Sequence, residues 1–135
     1  MIMSNTNFPN GISIGGYVEA LGVTISVGDE GTNVINVDID VTDADGNNVD
    51  RAVSFIAWIS DTAGADIAGT VPDTVAAGTN GSVAALIAGG LLVCTTDATG
   101  NVDIDITEDG ADTWYLNVLV PNGRVVSSDA ITFTT

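Results

Sequence analysis

The chain has 135 residues, and its 18 aspartates and glutamates face only two basic residues, Arg51 and Arg124, so the net charge is -16 with no lysine and no histidine. That length organises one hydrophobic core, and apolar residues at 45% with charged residues at 15%, against a usual quarter, exclude a disordered chain. A folded protein of this mass exposes about 6,500 Å², roughly one net negative charge per 400 Å², which repels phosphate backbones and anionic lipid, so no nucleic acid and no membrane is expected as a partner.

The missing residue types exclude chemistry as well. Without histidine or lysine the chain cannot build a Ser-His-Asp or Cys-His site, a Schiff base, a P-loop or a His-containing metal site. Cys94 is the single cysteine, so an intramolecular disulfide and a multi-cysteine metal site are excluded too. It stands in Leu91-Leu92-Val93-Cys94, where a small buried hydrophobe is expected. Pairs of carboxylates hydrolyse glycosides, but no aromatic-lined cleft is signalled by two Trp, two Tyr and three Phe. No catalytic residues and no cofactor are expected.

Taken in chain order, residues 1–18 mix apolar residues with breakers and carry no charge before Glu19. They predict an extended N-terminal arm, and Phe8, Pro9, Ile12 and Ile14 are its candidate contact residues, since apolar side chains on a free tail need a surface to cover them. Residues 19–135 are expected to form the folded domain. Leu21 to Val27 is a first strand by its β-branched content. Val34 to Val41 alternates strictly, placing Val37, Ile39 and Val41 on one face and Asn36, Asp38 and Asp40 on the other.

Thr42-Asp43-Ala44-Asp45-Gly46-Asn47 then reads as a hairpin turn, because Asp bonds its own downstream backbone and Gly accepts a positive φ. Asp43, Asp45 and Asn47 are weak calcium candidates there, since hard cations take oxygens from tight acidic turns. In an EF-hand, however, the glycine stands at position six and a glutamate at twelve, whereas here they are Gly46 at four and Ser54 at twelve. No metal is therefore expected to be needed.

Val53 to Ser60 is a strand apolar on both faces, which needs cover from a loop or from another chain, and makes Phe55 and Trp58 candidate subunit contacts. Trp58 is reminiscent of the core tryptophan of immunoglobulin domains, without their cysteine pair. From Asp61 to Gly90 the composition is Gly, Ala, Thr and Pro with scattered valines, and Val83 to Ile87 suits a short strand or one helical turn equally. Leu91 to Thr95 is a strand; Thr96 to Asn101 repeats the earlier turn as a second hairpin signal; Val102 to Ile106 repeats the alternation, with Ile104 and Ile106 opposite Asp103 and Asp105. If the two alternating strands are neighbours, repulsion among Asp38, Asp40, Asp103 and Asp105 favours a divalent ion or a basic partner surface. Thr113 to Val120, with Leu116 and Val118 inward, joins Arg124 to Thr134 through Pro121-Asn122-Gly123. Seven or eight short strands without helical periodicity predict an all-β, antiparallel β-sandwich.

Three stretches together resemble a group of small virion structural proteins of tailed bacteriophages: Asn7-Phe8-Pro9-Asn10-Gly11-Ile12, the Asp97 to Gly100 turn running into Val-Asp-Ile-Asp-Ile, and Tyr115 to Ser128. The resemblance implies an immunoglobulin-like domain that decorates or cements the outer surface of a capsid by binding the major capsid protein, with no catalytic residues to transfer. It also favours a homo-oligomer, a trimer above all, because icosahedral lattices offer threefold positions. The alternative is an immunoglobulin-like adhesin or tail-fibre module that binds host-surface glycans.

Overall fold

A computed structural model describes residues 21–134, which form ten β-strands: β1 (Gly22–Val27), β2 (Val34–Thr42), β3 (Ser54–Ser60), β4 (Thr74–Ala77), β5 (Ser82–Ile87), β6 (Leu91–Thr95), β7 (Asn101–Thr107), β8 (Ala111–Leu119), β9 (Val125–Ser127) and β10 (Ile131–Thr134). They make two antiparallel sheets packed as a β-sandwich. The first has the order β1-β2-β7-β4 and the second β10-β8-β3-β6-β5, with β9 also paired to β8. Among the described residues there is no helix, so none is long and apolar enough to cross a membrane.

Alternation decides which side of each strand is inside. Val37, Ile39 and Val41 on β2 and Ile104 and Ile106 on β7 meet Leu116 and Val118 on β8, and all seven expected core residues are fully buried. Each such side chain contributes about 1.5 to 3 kcal/mol relative to exposure. The pairing of Val37 with Ile104 also locks the register, because a slip by one residue turns every aspartate of β2 inward.

The core tryptophan is Trp114 on β8, not Trp58. Trp114 packs edge-on against Phe133 of β10, with ring centroids 6.2 Å apart and planes at 70°, and its indole Nε1 donates to the Thr70 carbonyl at 3.0 Å. Burying the large ring while giving its N–H a partner avoids the cost of an orphaned donor. Cys94 lies in the same core, and burial pushes its thiol up to about 12. Its thiolate is therefore nearly absent at neutral pH, and a thiol reagent is expected to label Cys94 only once denaturant opens the core.

Three expectations change in the loops and strand breaks. Thr42–Asn47 and Thr96–Asn101 are not hairpin turns between paired strands: β2 and β7 belong to the first sheet and β3 and β6 to the second, so both turns carry the chain across the sandwich. The Gly/Ala-rich segment holds two strands, and Val83 to Ile87 belongs to β5. Arg124 to Thr134 is two strands, because Ser128 interrupts the ladder: its hydroxyl accepts the Leu116 N–H at 3.0 Å while its own N–H reaches the Leu116 carbonyl at 2.8 Å.

Thr32 and Asn33 form a two-residue turn before β2 with both φ angles positive, 51° and 63°, closed by reciprocal bonds between Gly31 and Val34. A β-branched residue is strained in the left-handed region that this type I′ turn demands. Thr32→Asn is expected to stabilise the domain by about 0.5 to 1 kcal/mol, read as a rise in urea midpoint at constant slope.

Candidate functional site

The two outer faces of the sandwich differ in chemistry. On the first sheet the polar members of the alternating runs meet directly, Asp38 opposite Asp103, Asn36 opposite Asp105, and Asp40 opposite Asn101. Like charges opposite one another destabilise a sheet, and here asparagine amides stand between them. Asn36 Nδ2 donates to Asp103 at 2.7 Å and to Asp105 at 2.8 Å; Asn101 Nδ2 donates to Asp38 and to Asp40, each at 2.9 Å; Asn48 Nδ2 adds a second donor to Asp40 at 2.9 Å. The carboxylates are thus neighbours, as the repulsion argument required, but amide N–H groups take the place given there to an ion or a basic partner. Among the described residues no group of three or more His, Cys, Asp or Glu side chains is arranged to hold a metal ion.

Asp103 is the buried member of this face and has a second task. Its Oδ1 accepts the Asn80 N–H at 2.6 Å and its Oδ2 the Thr79 N–H at 3.1 Å, so the carboxylate clamps the connection from β4 to β5. Burial works to raise its pKa, but donors from Asn80, the Asn36 amide and Thr79 outweigh it and hold the carboxyl below the usual range. The two repeated turns share one geometry. Asp43 Oδ1 accepts the N–H groups of Asp45 at 2.9 Å and Asn47 at 3.1 Å, and Asp97 Oδ1 those of Thr99 at 2.8 Å and Asn101 at 3.1 Å, with Gly46 and Gly100 at φ 85° and 79°. The Thr99 hydroxyl, then the Thr99 and Asn101 N–H groups, lower the pKa of Asp97.

At Asp43, Asp45 and Asn47 the turn is closed by bonds to Asp43 Oδ1, so no cation is needed to hold its shape. Melting temperatures in calcium and in chelator are expected to agree within about 1 °C.

On the second sheet no outward position of β3, β5, β6 or β9 carries a charge. One apolar row crosses the sheet: Ala84 lies beside Val93, Val93 beside Ile56, Ile56 beside Leu119, and Leu119 beside Val125. Ile56 is 39% and Val125 45% exposed, and Leu86 and Ile87 on the edge strand β5 reach 62% and 50%. Trp58 also points outward, but residues 61–65 fold over it, with Trp58 Nε1 donating to the Ala65 carbonyl at 2.7 Å. Cover for the two-sided apolar strand thus comes from a loop at Trp58, while Ile56 remains open.

Of the candidate contact residues, Phe55 points inward and is buried in the core, so Ile56 is the residue of that pair on the outer face. Trp58 is half-buried beneath the loop. Phe8, Pro9, Ile12 and Ile14, with the whole arm 1–18, lie outside the described residues. Sequence reasoning missed Asn36, Asn101 and Asn117, which satisfy the groups around them. Their signal was an asparagine inside an otherwise regular strand, where that residue is disfavoured unless its amide has work to do. No pocket opens among the described residues. No family model, curated protein or solved structure matches the chain.

Proposed function

We propose that the protein is a non-catalytic virion subunit that decorates the outer surface of a tailed-bacteriophage capsid, binding the major capsid protein lattice as a homo-oligomer, with a trimer favoured. The observation that carries this reading is the separation of the two faces: the aspartates of β2 and β7 share one outer face, and an uncharged apolar row crosses the other. A domain with one solvated, acidic side and another whose strands β3, β5, β6 and β9 carry no charged residue suits a subunit lying on a lattice, where many copies multiply weak contacts. The strand order supports an immunoglobulin-like character: β1-β2-β7-β4 follows the A-B-E-D order of a constant-type domain and β3, β8 and the C-terminal strands follow C, F and G, with the β5–β6 hairpin added beside β3.

Quantitative mass spectrometry of separated phage heads and tails tests the reading. Copies in the hundreds on heads support decoration, whereas a few copies on tails favour the adhesin reading. Deleting residues 1–14 is expected to leave a folded sandwich that no longer binds heads, because the uncharged arm approaches a partner without the repulsion carried by a net charge of -16. Sedimentation at micromolar concentration that gives only a monomer on and off heads contradicts the oligomer.

A further inference from the structure

The two Asn-Gly pairs among the described residues stand in different hydrogen-bond environments. In Asn122-Gly123 each group that could react is engaged: the Gly123 N–H donates to the Val120 carbonyl at 2.7 Å, Asn122 Nδ2 donates to the Leu21 carbonyl at 3.2 Å, and Asn122 Oδ1 accepts the Arg124 N–H at 3.1 Å. In Asn80-Gly81 only the Asn80 backbone is held, its N–H by Asp103 Oδ1 at 2.6 Å and its carbonyl by the Asp103 N–H at 3.2 Å. Both residues are exposed, and no described residue bonds the Asn80 side-chain amide or the Gly81 N–H. The fold itself requires the glycine, since its φ is 73° and a Cβ there would collide with the Thr95 carbonyl and the Val102 side chain. No side chain can therefore shield the peptide nitrogen that follows Asn80.

We propose that Asn80-Gly81 is a self-modification site, at which the folded chain deamidates with water as the only co-reactant. The Gly81 nitrogen attacks Asn80 Cγ, and the new C–N bond closes a cyclic imide. The Gly81 proton passes through water to the departing side-chain nitrogen, which leaves as ammonia. Water then opens the ring at one of its two carbonyls, giving aspartate or, with the main chain rerouted through Cβ, isoaspartate. Either product adds a negative charge to the connection between β4 and β5. Asp103 Oδ1 holds the N–H of this same residue, so the new carboxylate arises beside one already present and repels it. Isoaspartate also inserts a backbone carbon directly before Gly81, which is packed against Thr95 and Val102 without room to shift. The modification thereby loosens the clamp that Asp103 places on this connection. It goes beyond the decoration reading and does not depend on it.

The test is incubation of the folded full chain in mildly alkaline buffer, followed by proteolytic cleavage before aspartate and mass spectrometry. Cleavage yields residues 73–96, in which Asn80 is the only asparagine, and residues 112–128, which carry Asn122 and the fully buried Asn117. The mass gain of an amide-to-acid exchange is expected at position 80 at a rate roughly tenfold or more above that at position 122, because Asn122-Gly123 must first break the bonds that hold it. An aspartate at position 80 adds a cleavage point and an isoaspartate does not, so both products are counted. In the denatured chain the difference between the two sites is expected to vanish. Equal rates at the two sites in the folded chain overturn the proposal, as does an Asn80 that stays intact while the denatured chain reacts. Asn80→Asp, which installs the first product directly, is expected to melt below wild type, and an unchanged melting temperature overturns the effect assigned to the clamp.

Discussion

Replacing Asp103 with alanine is expected to cost about 3 kcal/mol of stability at neutral pH and roughly 10 to 15 °C of melting temperature. The carboxylate is 7% exposed and accepts three hydrogen bonds, from the backbone of Thr79 and Asn80 and from Asn36 Nδ2. Truncation removes a charged acceptor from all three donors at once, and because Thr79 and Asn80 are exposed, water replaces it only by loosening the connection that they close. The loop gives no slack, because Gly78 packs so closely that a Cβ there would collide with the Asp103 carboxylate, while the Gly78 N–H bonds the Asp103 carbonyl at 2.8 Å.

The pH dependence has a definite sign. A carboxyl held below its unfolded value contributes stability that is full above the ordinary aspartate pKa of about 3.9 and is lost as pH falls through the lower folded value. Asp103 and Asp97 are both held low, so the domain should weaken below about pH 4. The gap between wild type and Asp103→Ala should narrow in the same window, and a gap that stays constant from pH 7 to pH 3 contradicts the assignment.

How much was legible follows from what alternation encodes. Val37, Ile39, Val41, Ile104 and Ile106 could be placed in the core because a polar residue stands between each pair, which fixes the parity of the strand. Ser54-Phe55-Ile56-Ala57-Trp58-Ile59 has no such marker, and choosing the inward set there needs the register against Leu116 and Val118. Phe55 and Trp58 differ by three positions, so one of them had to be inside. The two Asp-Gly turns were read correctly as local geometry, yet nothing in six residues states whether the next strand pairs with the last or crosses to the other sheet. On the acidic face, composition showed the charges and not the amides that bridge them, because those of Asn36 and Asn101 come from partner strands. Residues 61–90 were opaque because Gly, Ala and Thr pack without a periodic apolar signal, and β4 and β5 draw their order from pairing with β7 and β6.

Asn117 is the other position where one side chain carries a large share of local order. It lies on the outward side of β8, between the inward Leu116 and Val118, and is nonetheless fully buried because residues 61–65 fold over it. Its Oδ1 accepts the Gly64 N–H at 2.8 Å and the Ser127 hydroxyl at 2.7 Å, and its Nδ2 donates to Ser60 Oγ at 2.7 Å and to the Trp58 carbonyl at 3.3 Å. The amide thus uses both donors and both lone pairs, and it ties β3, β9 and the loop to one strand. Asn117→Ala removes all four bonds at once and is expected to cost about 3 kcal/mol, since the Gly64 N–H and the Ser60 and Ser127 hydroxyls must then find water by lifting the loop. Lifting it also breaks the bond from Trp58 Nε1 to Ala65, so the native emission spectrum should shift to the red while Trp114, 1% exposed, stays silent. A lower melting temperature with unchanged emission would show that Trp58 alone holds the loop down. With the loop released, Trp58 joins Ile56 and Leu91 on the outer side of the second sheet, widening the apolar row, so the same substitution should increase nonspecific association in proportion to the red shift.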